Sequence, residues 1–179
     1  MFPPDPVGIS PQIIFLTGCI VTWWGRIEYI LINDIYRMRL HPDLAAHRDF
    51  QVVQIATKRR IWQWRRGFVV VPEVPKDMLV KVDTLTAELY DLAEDRHLLM
   101  HSMWDIQGQD GGQTVRLTNI KPDEGDVMLS LSTEINAALL DELNSKMYRA
   151  YHQLVSISTT ARFSRHPPFV LPKALPDGQ

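Results

Sequence analysis

Six residues near the middle of the chain, Arg96-His97-Leu98-Leu99-Met100-His101, bring together side chains that phosphodiester chemistry uses. Histidine titrates near neutrality, so His101 can take or give a proton at a reacting oxygen. Arginine grips a phosphate through paired hydrogen bonds and offsets the charge that builds up in the transition state. Arg96 falls on an apolar seam with Leu89, Leu92, Leu99 and Met103. A guanidinium there needs an anion, because an unpaired buried charge is costly. Glu28 comes four residues after Trp24 and three before Leu31, so it touches an apolar stripe of its own, and a partly buried Arg96–Glu28 pair is expected. Such a pair serves equally well to fix helix register with no chemistry attached. His101 stands five residues beyond Arg96, a rotation of about 140° on a regular helix. A long Arg side chain, distortion near the helix end or a second protomer has to bring the two together.

His97 and His101 also form a pair at four-residue spacing on one helix face, which zinc sites use. Glu follows neither histidine, so the metalloprotease pattern is missing and no metal or other cofactor is expected. A second cluster, Lys58-Arg59-Arg60-Ile61-Trp62-Gln63-Trp64-Arg65-Arg66, holds five cations in nine residues. Arg59, Trp62 and Arg66 fall on one helix flank, away from Ile61, Trp64 and Phe68. That flank could hold phosphates and stack a base. The plainer alternative is a solvated helix face whose long stems cover Trp62.

The elements that position these residues are marked out by proline. Eight of the twelve prolines sit near the two ends, and only Pro42, Pro72, Pro75 and Pro122 are internal. Proline interrupts helix interiors, so these four mark joints. Ile13, Leu16, Ile20, Trp23, Trp24, Ile27, Leu31, Ile35 and Met38 recur at helical spacing between Pro11 and Leu40. Phe50, Val53, Thr57, Ile61, Trp64 and Phe68 continue that period in a second helix, whose end at Phe68-Val69-Val70-Val71 could pass into extended chain. Met78, Val82, Leu85, Leu89, Leu92, Leu99 and Met103 define a third, with Arg96 in the missing seam position. Leu140, Leu143, Met147, Ala150, Leu154 and Ile157 define a fourth, with Ser132 as its expected N-cap and Glu134 in its first turn. Between the third and fourth, Met103–Gln107 and Thr114–Thr118 alternate around Gly108, Gly111 and Gly112 and predict a β-hairpin.

The expected fold is therefore all-α: an up-and-down four-helix bundle with a β-hairpin insert and extended, Pro-rich termini. It is expected as one domain over 1–179, with a core over about 11–157 and a tail over 158–179. Hydrophobic residues make up 45% and charged residues 22%, which excludes a disordered chain, and a net charge of −2 excludes a polycation that coats nucleic acid. A single cysteine, Cys19, excludes an internal disulfide framework and is expected as a small core residue. The opening residues lack the basic start of a secretory signal. Arg26 and Glu28 interrupt the apolar run from Ile13 to Ile32, so a membrane span is not expected and a cytoplasmic protein is. Gly18 and Gly25, seven apart on one helix face, would allow close helix approach within the bundle or across a dimer.

The segment Arg96 to His101 resembles the R-[polar]-x-x-x-H motif of the HEPN superfamily, small helical bundles that include metal-independent endoribonucleases of toxin and phage-defence systems. A long helix before the motif, Met103-Trp104 after it, and an opening helix with Trp23-Trp24 and Glu28 are similar to the family context. The position after the arginine is usually Asn or Asp in the family and is His97 here. The resemblance implies a homodimer with Arg and His lining a cleft at the interface, and RNA cleavage through the neighbouring 2′-OH. His101 would move the proton, Arg96 would hold the scissile phosphate, and His97 would orient the pair or touch RNA, with no metal. It also implies a regulatory partner such as an antitoxin. The competing expectation is a non-catalytic helical interaction module, in which Arg96 and Glu28 are structural and the Pro-rich tail recruits a partner.

Overall fold

The computed structural model describes residues 9–50, 56–71, 74–107, 113–122 and 128–161. It is mostly helical, with one small three-stranded antiparallel sheet. α1 spans Pro11–Arg39, where Ser10 Oγ accepts from the Gln12 N–H at 3.3 Å and Pro11 occupies the first turn that tolerates it. Its anticipated stripe from Ile13 to Met38 is buried, except that Trp23 is half-buried and packs on the edge of the core. By length and composition α1 would also pass as a membrane-crossing helix; in this fold that stripe belongs to the core. A short α2 (Pro42–Ala45) and a 3₁₀ turn (Arg48–Phe50) follow.

α3 spans Thr57–Val70, so the second helix begins at Thr57 rather than near Phe50. Phe50 is buried from the 3₁₀ turn, and Val53 lies outside the described residues. Helical geometry holds through Val70, and Val71 is extended. α4 spans Lys76–His101 and buries Met78, Val82, Leu85, Leu89, Leu92 and Leu99. Met103, expected on that seam, instead opens β1 (Met103–Gln107). α5 spans Ala137–Thr160, three residues into the tail expected over 158–179; 162–179 lie outside the described residues.

Contacts fix the helix directions. Along α1, Glu28 meets Arg60, Asp34 meets Trp64, and Met38 packs at Gly67, so α1 and α3 run the same way. Trp23 stacks on Tyr148 and Tyr151, and Asp34 accepts from Ser158, so α5 runs the same way too. Lys58 pairs with Glu94 and Arg65 with Asp83, so α4 alone runs opposite. The up-and-down order is therefore corrected at its first joint. The connection 40–56 is not a tight turn but carries α2 and the 3₁₀ turn. A chain of that length reaches well beyond the roughly 21 Å of α3 and returns to start a parallel helix.

The expected hairpin is also larger than read. β2 (Thr114–Pro122) pairs with β1 on one side and with β3 (Met128–Asn136) on the other. Ser132 and Glu134 lie on β3, not at a helix start: Ser132 pairs with Thr118, and Glu134 meets Arg116 at 3.0 Å. The alternation Leu129, Leu131, Thr133, Ile135 is a strand period, and it runs into a better cap. Asn136 Oδ1 accepts from the Leu139 N–H at 2.9 Å and begins α5. Val115 and Leu117 on β2 join the helical core.

Candidate functional site

Three helices build the site because they differ in length. α1 has 29 residues, α4 has 26, and α3, which lies against both, has 14. Lys58, at the start of α3, meets Glu94. Arg96 lies two residues further along α4, at the level where α3 has yet to begin. There it opens into a groove of about 420 Å³ lined by Trp24 of α1, Ala56, Thr57 and Lys58 of α3, and Ala93, Glu94, Arg96 and His97 of α4. The seam position that a leucine would fill borders this groove, and a half-buried guanidinium occupies it. Arg96 Nε is enclosed and has no hydrogen-bond partner among the described residues.

His97 lines the same groove and is exposed on its outer side. One turn on, the exposed His101 stacks against it, ring centroids 4.6 Å apart and planes tilted by 41°. The groove does not include His101. One protomer thus joins Arg96 to His97 and His97 to His101, but does not bring Arg96 and His101 together, as the 140° rotation requires. No group of three or more His, Cys, Asp or Glu side chains converges on a metal-binding geometry among the described residues.

Glu28 has a different partner from the one expected. Its Oε1 accepts from Arg60 Nη1 at 2.8 Å and from Thr57 Oγ1 at 3.0 Å. The Arg60 side chain is only 11% exposed, so this pair is shielded and ties α1 to the start of α3. Arg60 stands at the level of Glu28 because α3 starts at Thr57; Arg96 is left without a carboxylate in salt-bridge range among the described residues.

The basic run is largely neutralised. Lys58 pairs with Glu94, Arg60 with Glu28, Arg65 with Asp83 at 2.7 Å and Arg66 with Asp49 at 3.5 Å. Of the three proposed RNA contacts, Arg66 is held by Asp49, Trp62 is half-buried and Arg59 is exposed. The flank exists, but its charge is mostly balanced. Cys19 is half-buried in a surface groove between α1 and α5, beside Phe15, Trp23 and Tyr148, rather than in the core.

Sequence reasoning passed over Thr57 and Lys58 as site residues, since placing the second helix from Phe50 hid the helix start on which they sit. It also passed over Asp34, 3% exposed, which accepts from Trp64 Nε1 at 3.0 Å and from Ser158 Oγ. Burial lifts this carboxyl above its ordinary pKa, against the pull of Ser158, Trp64 and Arg37. Asp34 lies three residues after Leu31 on the core stripe, the same signal that singled out Glu28. Set against known proteins, the chain matches no family model, no curated protein and no solved structure.

Proposed function

We propose that α1, α3, α4 and α5 form a four-helix bundle of HEPN type, and that the protein is a metal-independent endoribonuclease acting as a cytoplasmic homodimer. The observation that carries this reading is Arg96: a guanidinium whose Nε is enclosed without a partner, opening on a groove beside His97, which stacks on His101. A phosphate supplies the acceptors that Arg96 lacks. His101 removes the proton from the 2′-OH, the resulting oxygen attacks phosphorus, and the 5′-oxygen leaves with a proton from the conjugate acid of a histidine. The products are a 2′,3′-cyclic phosphate and a 5′-hydroxyl. Arg96 offsets the charge gained by the phosphoryl oxygens. The test is incubation of purified protein with single-stranded and structured RNAs in EDTA, with end-group analysis of the products. Cleavage with 2′,3′-cyclic ends is expected; RNAs left intact across the set would end the nuclease reading.

A second reading is favoured by the balanced basic run. With four of its five cations paired to carboxylates, the α3 flank resembles a solvated structural face more than an RNA track. On this reading the protein is a helical interaction module, and a partner such as an antitoxin would bind it without catalysis.

A further inference from the structure

α1 and α5 pack side by side, and a groove of about 590 Å³ opens between them at the surface. Phe15 and Trp23 of α1 line one wall, and Asn144, Tyr148 and Arg149 of α5 line the other. Phe15 is 68% exposed and Tyr148 47%, so two large rings face water from opposite walls. Phe15 meets no other ring among the described residues. Tyr148 meets Trp23 at an interplanar angle of 77° and His152 at 63°, so no ring lies flat on it. The charge at the groove is one-sided. Arg149 is exposed, Arg26 is exposed and lies over the Trp23 ring at 4.7 Å, and neither has a carboxylate in salt-bridge range among the described residues. Glu142, whose charge Arg149 feels, is held by Lys146 at 2.7 Å. Asn144 makes no side-chain hydrogen bond among the described residues: its Oδ1 is enclosed, and its amide nitrogen is left for a ligand.

We propose that the α1–α5 groove is a docking site for an unpaired RNA strand, with bases stacked on Phe15 and Tyr148 and backbone phosphates held by Arg26 and Arg149. The site rests on the reading of the protein as one that acts on RNA, and adds where the strand is held outside the reaction groove. Every base has a π-face, so open rings take bases of any sequence, provided those bases are not already stacked inside a duplex. Two guanidiniums without carboxylate partners, in a chain of net charge −2, mark a place where a polyanion fits. The α3 flank, with four of its five cations paired, fits one less well. The amide nitrogen of Asn144 adds a donor for an acceptor on a base edge. Trp24, the residue after Trp23, lines the Arg96 groove, so the two grooves border the buried stripe of α1 at one level. The outer face of α1 is open at Gly25, where nothing lies within 4 Å of an added Cβ among the described residues, and a strand crossing that face can serve both grooves.

Fluorescence anisotropy with the full chain tests this against a short unpaired RNA, the same sequence as a duplex, and adenosine monophosphate as a competitor. The unpaired RNA should bind at least about tenfold tighter than the duplex, and the mononucleotide should compete poorly because it offers one base and one phosphate. Phe15→Ala, a surface change, should weaken the unpaired RNA about tenfold, the loss of one stacked base. Tyr148→Ala should do the same, and Tyr148→Phe, which keeps the ring, should bind as wild type does. Arg26→Gln and Arg149→Gln should each reduce the slope of log affinity against log salt by about 0.7. Val80→Ala removes an equally exposed apolar side chain from α4 and should leave affinity unchanged. Indifference to Phe15→Ala, equal affinity for duplex and unpaired RNA, a mononucleotide that binds as tightly as the strand, or equal losses from Tyr148→Phe and Tyr148→Ala would each overturn the site. Capture by phosphatidylserine vesicles that depends on Phe15, with no RNA bound, would make this a membrane-facing surface and also overturn it. Unpaired RNA bound with the expected sensitivities but left uncut keeps the docking site and removes the nuclease. RNA cleavage with KM unchanged in Phe15→Ala and Arg149→Gln keeps the nuclease and removes the docking site.

Discussion

At the residue scale, His101 and Arg96 should fail differently when removed. Proton transfer by His101 occurs only in the transition state, so His101→Ala should lower turnover by about 10²–10⁴-fold with RNA affinity nearly intact. Phosphate contact exists before and during reaction, so Arg96→Ala should raise KM as well as lower kcat. Single-turnover kinetics with labelled RNA separates the two, and a His101→Ala protein as active as wild type would remove the assigned role. Asp34 offers a test free of any functional reading. Its folded carboxyl binds a proton more tightly than the unfolded chain does, because burial disfavours the ion. Folding therefore takes up protons, and this contribution to stability is full below the ordinary carboxylate pKa and lost as pH rises through the raised value. Asp34→Asn keeps an oxygen for Trp64 and should flatten that dependence in urea unfolding as pH rises above the ordinary carboxylate range; an unchanged slope would mean that Asp34 does not carry it. Arg96 was legible from sequence because a charge on an apolar seam is conspicuous. Its missing counter-ion was not, since the choice between Arg60 and Arg96 for Glu28 depends on where α3 starts, and element ends are the least readable feature of a sequence.

At the element scale, helical period located the core faces of α1, α4 and α5 well, because burial at three- and four-residue spacing is what the period records. It said nothing of direction, which is why three helices running the same way came as a correction, and it lost the third strand by reading Ser132 as a cap. The three glycines in described helices show how element packing gives opposite expectations for the same residue type. A Cβ on Gly67 of α3 would overlap Sδ of Met38, a fully buried side chain of α1. Gly67→Ala should cost about 1–3 kcal/mol through overpacking. Among the described residues, Gly18 and Gly25 of α1 have nothing within 4 Å of an added Cβ, so no described element approaches α1 closely at them. Gly18→Ala and Gly25→Ala should each stabilise the monomeric chain by about 0.5–1 kcal/mol, because alanine gives up less backbone freedom in a helix. Thermal melts of the three variants at low concentration check the signs; destabilisation by Gly18→Ala or Gly25→Ala in a monomer would contradict the open face described for α1.

At the scale of the whole molecule, the short α3 leaves the groove that Trp24 of α1 and Arg96 and His97 of α4 line above its start. Val21 and Ile14 continue, seven and fourteen residues earlier, the stripe on which Glu28 meets α3, and they are 38% and 50% exposed. On the facing helix, His97 and His101 are exposed at the same open end. An apolar wall opposite two histidines is a surface that a second copy can cover, and such cover would also bring Arg96 of one protomer toward His101 of the other, which the 140° rotation prevents within a single chain. Sedimentation at micromolar concentration should then show a dimer, but a dimer alone does not make the site composite. Mixing does. In a composite dimer, Arg96→Ala protomers still supply His101 and His101→Ala protomers still supply Arg96. A mixed dimer therefore contains one intact site and one site lacking both groups. With random exchange, half of the dimers are mixed and each has one working site of two, so two inactive variants combined should recover about a quarter of wild-type activity. If each protomer carried its own complete site, every site in the mixture would lack one group and activity would stay at the level of the separate variants. Recovery that rises as the two proteins are given time to exchange subunits, and that is lost when each is cross-linked with its own kind before mixing, would assign the histidine and the arginine of one reaction to different chains.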